Sequence, residues 1–222
     1  MQVSHSNNLI QLQMINILLI TFTISLIYIA MANRMLTYIR IIAFQGLLLF
    51  GVALIELIEI NVINLVFVLL ETIVIKAIAI PLFLKYILDR NRITREAEPF
   101  VSNFVSVVIV TFIILGSFFL ANAIHDSYVR KIFFIVALSA LFTGLYIIIT
   151  RRKIITHVMG FVVLENGVFV LSIAVGSEMP MLVNTGILLD IFVSVILLGI
   201  FADKIGDVFE EQDVEQLKNL KD

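Results

Sequence analysis

Seven stretches of this chain, roughly 9–32, 39–59, 62–88, 101–121, 131–150, 154–176 and 181–202, are runs of mostly apolar side chains about 20 residues long or longer. A helix of about 20 apolar residues matches the thickness of a bilayer's hydrocarbon core. The links between the runs are short, as at Asn33–Tyr38, Asp89–Pro99, Asn122–Arg130 and Arg151–Lys153, so no soluble domain fits between them. Apolar residues make up 61% of the chain and charged ones 14%, against about 45–50% and about 25% in soluble domains. One globular core cannot hide that much apolar surface. The expected fold is all-α: a polytopic membrane protein with seven transmembrane helices over 1–202, followed by an acidic cytoplasmic tail, 203–222. The opening MQVSHSNN lacks the basic region of a secretory signal and leads into an apolar run too long for one, so an uncleaved first span is expected.

Cysteine is absent, which removes disulfides, thiolate zinc sites, iron–sulfur clusters and thiolate-held nickel–iron centres from consideration. His5, His125 and His157 are scattered, and no metal or other cofactor is expected. A net charge of −2 offers no basic surface for nucleic acid. The basic residues do assign an orientation by the positive-inside rule. With the N-terminus outside, only Arg130 and Lys131 of the 15 Lys and Arg face outward, and Lys76 lies within a span. The expected topology in the cytoplasmic membrane is N-out, C-in.

A shift of 119 residues aligns Glu59 with Glu178, Leu69-Leu70-Glu71 with Leu188-Leu189-Asp190 and Lys85 with Lys204. The expected organisation is a parallel repeat of helices 1–3 and 5–7 (repeat A 9–88, repeat B 131–202), joined by the linker helix 101–121. On this alignment Gln45 falls opposite Glu165 only with a one-residue gap.

Four charged residues sit near the centres of their spans: Glu71, Lys76, Glu165 and Asp190. Each costs about 2.5–3.5 kcal/mol at the bilayer centre on insertion scales, so such groups face the bundle interior. A buried group that exchanges a proton is what a relay requires. The competing expectation is a structural ion pair locking the helices together, Lys76 with Glu71 or Asp190. On an α-helix, residues 71 and 76 are about 140° apart, so each is expected to look to a different neighbour. Asn166, Gly167 and Asn184 are candidate supporting residues: the amides for hydrogen bonds, the glycine for close approach of a helix or a water beside Glu165. Glu56, Glu59 and Glu178 read as interfacial carboxylates, and the 18 phenylalanines as lipid-facing or packing residues.

The section from Arg151-Arg152-Lys153 through Gly160-Phe161-Val162-Val163-Leu164-Glu165-Asn166-Gly167 to Leu188-Leu189-Asp190 and Phe201 resembles component E of the hydrogenase-4, formate hydrogenlyase-type membrane complexes. Its last three spans are similar to the K subunit of bacterial complex I and to the small C subunit of multi-subunit sodium/proton antiporters. In those relatives two neighbouring helices carry one carboxylate each, with Glu165 and Asp190 as counterparts here; Asp stands where the complex I relative has Glu. Glu71 and Lys76 are weaker carry-overs, because Gln45 replaces the acid expected in the first copy. The resemblance implies a non-catalytic subunit. Its expected partners are antiporter-like membrane subunits and a peripheral redox module, a nickel–iron hydrogenase. The alternatives are a small subunit of a cation/proton antiporter and a structural anchor with no relay role.

Overall fold

A computed structural model describes residues 2–56, 66, 68–90, 100–124, 129–151 and 153–176, and among these there is no strand. The helices are α1 (Gln2–Met31), α2 (Met35–Glu56), α3, α4 (Asn103–Ala123), α5 (Lys131–Thr150) and α6 (Ile154–Val175), where α3 is π-helical over Glu71–Ala79 and α-helical over Ile80–Arg90. Five segments, Leu9–Met31, Met35–Glu56, Asn103–Ala123, Lys131–Thr150 and Ile155–Val175, are long and apolar enough to cross a membrane. The described part is thus an all-helical fold of the kind a membrane protein requires. The expected seventh span, 181–202, and the tail lie outside the described residues.

The expected limits of the first, second, fourth, fifth and sixth spans hold to within a few residues, except that α1 begins seven positions before residue 9; the start of the third, expected at 62, lies outside the described residues. Helix α1 packs on α2, α4 and α5, α2 packs on α3 and α6, and α5 packs on α4 and α6. Helix α4 is the most peripheral, burying a row of small residues, Ser106, Val110, Ser117 and Ala121. Phe104, Phe112 and Phe119 project from its other side, 78%, 68% and 71% exposed. That surface suits hydrocarbon and not water.

Two hydrogen-bonded joints fix which helix ends lie together. At one level the Arg151 guanidinium, buried behind the end of α5, donates to the Ala30 carbonyl in the last turn of α1 at 3.0 Å. Arg151 therefore satisfies a carbonyl that a helix C-terminus leaves open, so this cation does structural service. At the opposite level Arg130 makes a bidentate ion pair with Glu56 at the end of α2, and its backbone N–H donates to Ala174 of α6 at 3.0 Å. Glu56, expected to be a plain interfacial carboxylate, is 12% exposed and neutralises one of the two cations on the minority side of the charge bias. The ends so matched make α1 parallel to α5 and α2 parallel to α6. Glu56→Gln keeps the shape but removes the charge from a half-buried bidentate pair, so it is expected to lower stability by about 2 kcal/mol. Thermal unfolding in detergent measures the loss.

Helix α3 departs from the expected geometry. Its run Thr72-Ile73-Val74-Ile75 is β-branched and stiff at χ1, and Pro81 follows. In an α-helix the Pro81 ring would meet the carbonyl of Ala77. The chain instead widens to i→i+5 bonding, with the N–H of Ile80 donating to the Ile75 carbonyl. Pro81 then falls in the first turn of the following α-helical segment, where its missing N–H costs nothing. The π geometry also corrects the expected azimuths. Five residues are about one π turn, so the backbone positions of Glu71 and Lys76 lie along the same face of α3 and not about 140° apart.

Candidate functional site, a polar junction inside the bundle

Four helices bring one polar side chain each to a common point. Lys76 of α3 is 1% exposed, and its Nζ donates to Asn166 Oδ1 of α6 at 3.4 Å. Asn166 Nδ2 donates to Gln45 Oε1 of α2 at 3.2 Å, and Gln45 Nε2 donates to Ser25 Oγ of α1 at 2.9 Å. Ser25 in turn donates to the Phe22 carbonyl at 2.6 Å. Every donor points away from Lys76. The acceptor ends of the chain therefore all face the ammonium, and hydrogen bonds aligned in series polarise one another. The Phe169 ring centroid lies 5.1 Å from Nζ, adding a cation–π contact in a site without exposure to solvent. The junction replaces water around a buried cation by oriented dipoles.

Depth follows from the helix bounds. Gln45 is the eleventh residue of the 22 in α2, and Glu165 the twelfth of the 22 in α6. Glu165 is 2% exposed. At 100° per residue, Glu165, Asn166 and Phe169 share one side of α6, and two of these three touch Lys76. The carboxylate and the lysine thus belong to neighbouring positions of one buried polar site.

Backbone contact makes the junction possible. A Cβ at Gly46 would stand 2.8 Å from the backbone N of Ala77, so α2 touches α3 beside Lys76 with no side chain between them. Gly167 has the same function one helix over, its Cβ position lying 2.7 Å from the backbone N of Leu141 on α5. Of the two expectations for Gly167, close approach of a helix is the one observed. Gly144 and Gly160 continue that seam, and a Cβ on Gly144 would meet the Gly160 carbonyl and the Leu164 N at 2.6 Å.

Of the sequence-derived candidates the structure joins Lys76 to Asn166, and Glu165 is the buried residue that precedes Asn166 on α6. The side chain of Glu71, and Asn184 and Asp190 altogether, lie outside the described residues. Two members of the junction were not singled out from the sequence. Gln45 read as the mark of a degenerate first copy, and Ser25 carried no signal because serine is tolerated in any membrane helix. For Gln45 a signal does exist in Gln45-Gly46, which repeats the amide–glycine pair Asn166-Gly167 at an offset of 121 residues. The same offset separates the partners of two of the hydrogen bonds that join the two halves, Gln45 with Asn166 and Ala30 with Arg151, while Lys76–Asn166 spans 90 residues and Glu56–Arg130 spans 74. The shift of 119 superposes the bounds of α2 and α6 residue for residue, and the offset of 121 leaves them two residues apart. On that register Gln45 corresponds to Asn166 without a gap, and Phe44 stands opposite Glu165.

Among the described residues no group of three or more His, Asp or Glu is placed to hold a metal ion. His157, in the first turn of α6, has its Nε2 2.5 Å from the Arg151 carbonyl, a contact that closes the α5–α6 turn.

The chain is 24% identical over 187 residues to the uncharacterized protein Rv0085 of Mycobacterium tuberculosis, a match covering 83% of this chain and 85% of the relative. No protein-family profile matches the chain and no solved structure matches it.

Proposed function

We propose that this protein is a non-catalytic integral membrane subunit of a group 4 hydrogenase-like, hydrogenase-4 or formate hydrogenlyase-type, energy-converting complex. In this reading Lys76, Glu165, Asp190 and Glu71 carry protons across the middle of the membrane. The supporting observation is the buried junction itself: a lysine bonded to an amide whose neighbour in sequence is a buried carboxylate, midway along an α6 long and apolar enough to span. A soluble core has no use for such an arrangement at that depth, and a bilayer resists it unless it serves a purpose. The amides of Gln45 and Asn166 hold no exchangeable acid proton at neutral pH, so the transferring groups are Lys76 and the carboxylates, and the amides orient them. A carboxylate and an amine hand over a proton directly or through one water when both face the same cleft.

The proposed setting is the cytoplasmic membrane, N-terminus outside, with antiporter-like subunits and a cytoplasmic nickel–iron module alongside. The duplication belongs to the same proposal. Its support is the match of the α2 and α6 bounds at a shift of 119 and the near-equal offset of 121 in two inter-half hydrogen bonds, because residues on a local two-fold axis touch their own counterparts. That axis runs along the helices, as a parallel repeat requires.

The saturated hydrogen-bond chain favours one second reading, a structural lock in which the polar groups only fix helix register. Chemistry separates these two readings, and company separates the hydrogenase setting from that of a cation/proton antiporter. A tagged chain extracted in mild detergent is expected to bring large antiporter-like membrane subunits and a nickel-containing protein with it, identified by mass spectrometry. Recovery with antiporter-like subunits alone would replace the hydrogenase setting by a cation/proton antiporter. Recovery as a lone, monodisperse protein would contradict both.

A further inference from the structure

We propose that the groove between α1 and α2 seats the headgroup of an anionic phospholipid. The groove is a cavity of about 390 Å³ whose rim carries Tyr28, Thr37 and Arg40. The Tyr28 and Thr37 hydroxyls and the Arg40 guanidinium make no hydrogen bond or ion pair among the described residues, although Tyr28 is 57% exposed and Arg40 is exposed as well. Their positions give the depth. Tyr28 is three residues from the end of α1, and Thr37 and Arg40 are two and five residues from the start of α2. At 1.5 Å per residue all three donors lie within about 8 Å of the helix ends, the level of lipid phosphates and glycerol esters.

Further in, the lining is more apolar, with Ile24, Ile41 and Phe44 beside the hydroxyls of Thr21 and Ser25. Donors at the surface level and hydrocarbon below them are complementary to one phospholipid: phosphate on Arg40, ester oxygens on the hydroxyls, acyl chain along Phe44. A cation with no partner among the described residues, in a groove at the level of the lipid headgroups, selects an anionic headgroup over a zwitterionic one. Ser25 forms the floor, so the lipid rests on the residue that ends the Lys76 hydrogen-bond chain. The inference uses from the proposed function only that the helices span a bilayer.

The protein is reconstituted in nanodiscs of equal phosphatidylglycerol and phosphatidylcholine, and the lipids it retains after release into detergent are counted by native mass spectrometry. Wild type is expected to keep one phosphatidylglycerol, with Arg40→Gln reducing its retention by about tenfold or more, the effect of losing one charge-assisted contact. Tyr28→Phe serves as the second variant and is expected to reduce retention by a smaller factor. Equal retention of both lipids, unchanged retention in Arg40→Gln, or displacement of the lipid by millimolar inorganic phosphate would overturn the proposal. Loss of the lipid with ion transport intact leaves the proposed function standing. Retention of the lipid by a chain that copurifies with no partner removes that function and leaves the lipid seat.

Discussion

Gly144→Val is expected to leave little folded protein in the membrane. The Cβ it introduces would stand 2.6 Å from the Gly160 carbonyl oxygen and from the Leu164 backbone N. Both are backbone atoms of α6 that no rotamer change can move, so α5 and α6 must separate. Overpacking of this kind costs about 1–3 kcal/mol where neighbours relax and more where they cannot. Here the seam extends through Ala137, Leu141, Gly160 and Gly167, and opening it breaks dispersion contacts along two whole helices. The displaced α6 also carries Asn166 away from Gln45 and Lys76. Gly116→Ala is the matched control, since nothing lies within 4 Å of a Cβ there. Relief of the helix cost of glycine makes that variant neutral or more stable, by about 0.5–1 kcal/mol. Membrane expression and fluorescence-detected size exclusion report both.

Lys76→Met and Glu165→Gln are expected to fold and assemble but to lose ion transport. Methionine matches the lysine stem in volume, and its thioether needs no hydrogen bond. Asn166 Oδ1 then loses one donor, a cost of about 1–3 kcal/mol, while the desolvation cost of a buried ammonium disappears. The two terms oppose each other, so stability stays within about 2 kcal/mol of wild type. Transport has no such compensation, because neither a thioether nor an amide exchanges a proton at neutral pH. Asn166→Leu behaves differently. It removes the acceptor of Lys76 Nζ and the donor to Gln45 Oε1 in a buried site, and it is expected to destabilise the chain more than either of the other two.

Much of this was readable from residue patterns because a bilayer imposes one length and one composition on every span. The bounds of α5 match their apolar run residue for residue, and those of α6 differ by one. Lys76, Glu165 and Asn166 stood out for the same reason: polar groups in long apolar runs are rare enough to be conspicuous. Three features were not readable. The π-helix depends on Pro81 acting together with the backbone contact between Gly46 and Ala77, and that contact is tertiary. The Glu56–Arg130 pair joins residues 74 apart, and each alone is an ordinary interfacial charge. Gln45 was set aside because it was compared with Glu165. Its partner in space is Asn166, one position further on, and a shift of one residue on a helix turns a side chain by about 100°.

The central claim is that a lysine and a carboxylate inside this bundle move protons rather than merely hold helices in register. Its most direct measurement is proton movement by the assembled complex in sealed membrane vesicles, followed with a pH-sensitive dye while the copurified redox module turns over its donor. Wild type is expected to acidify one side. Lys76→Met and Glu165→Gln, each with the same set of copurified chains as wild type, are expected to reduce the initial rate by about a hundredfold, the scale of losing a positioned acid or base. Undiminished acidification by both variants in an intact complex would contradict the claim and leave the junction as a structural lock.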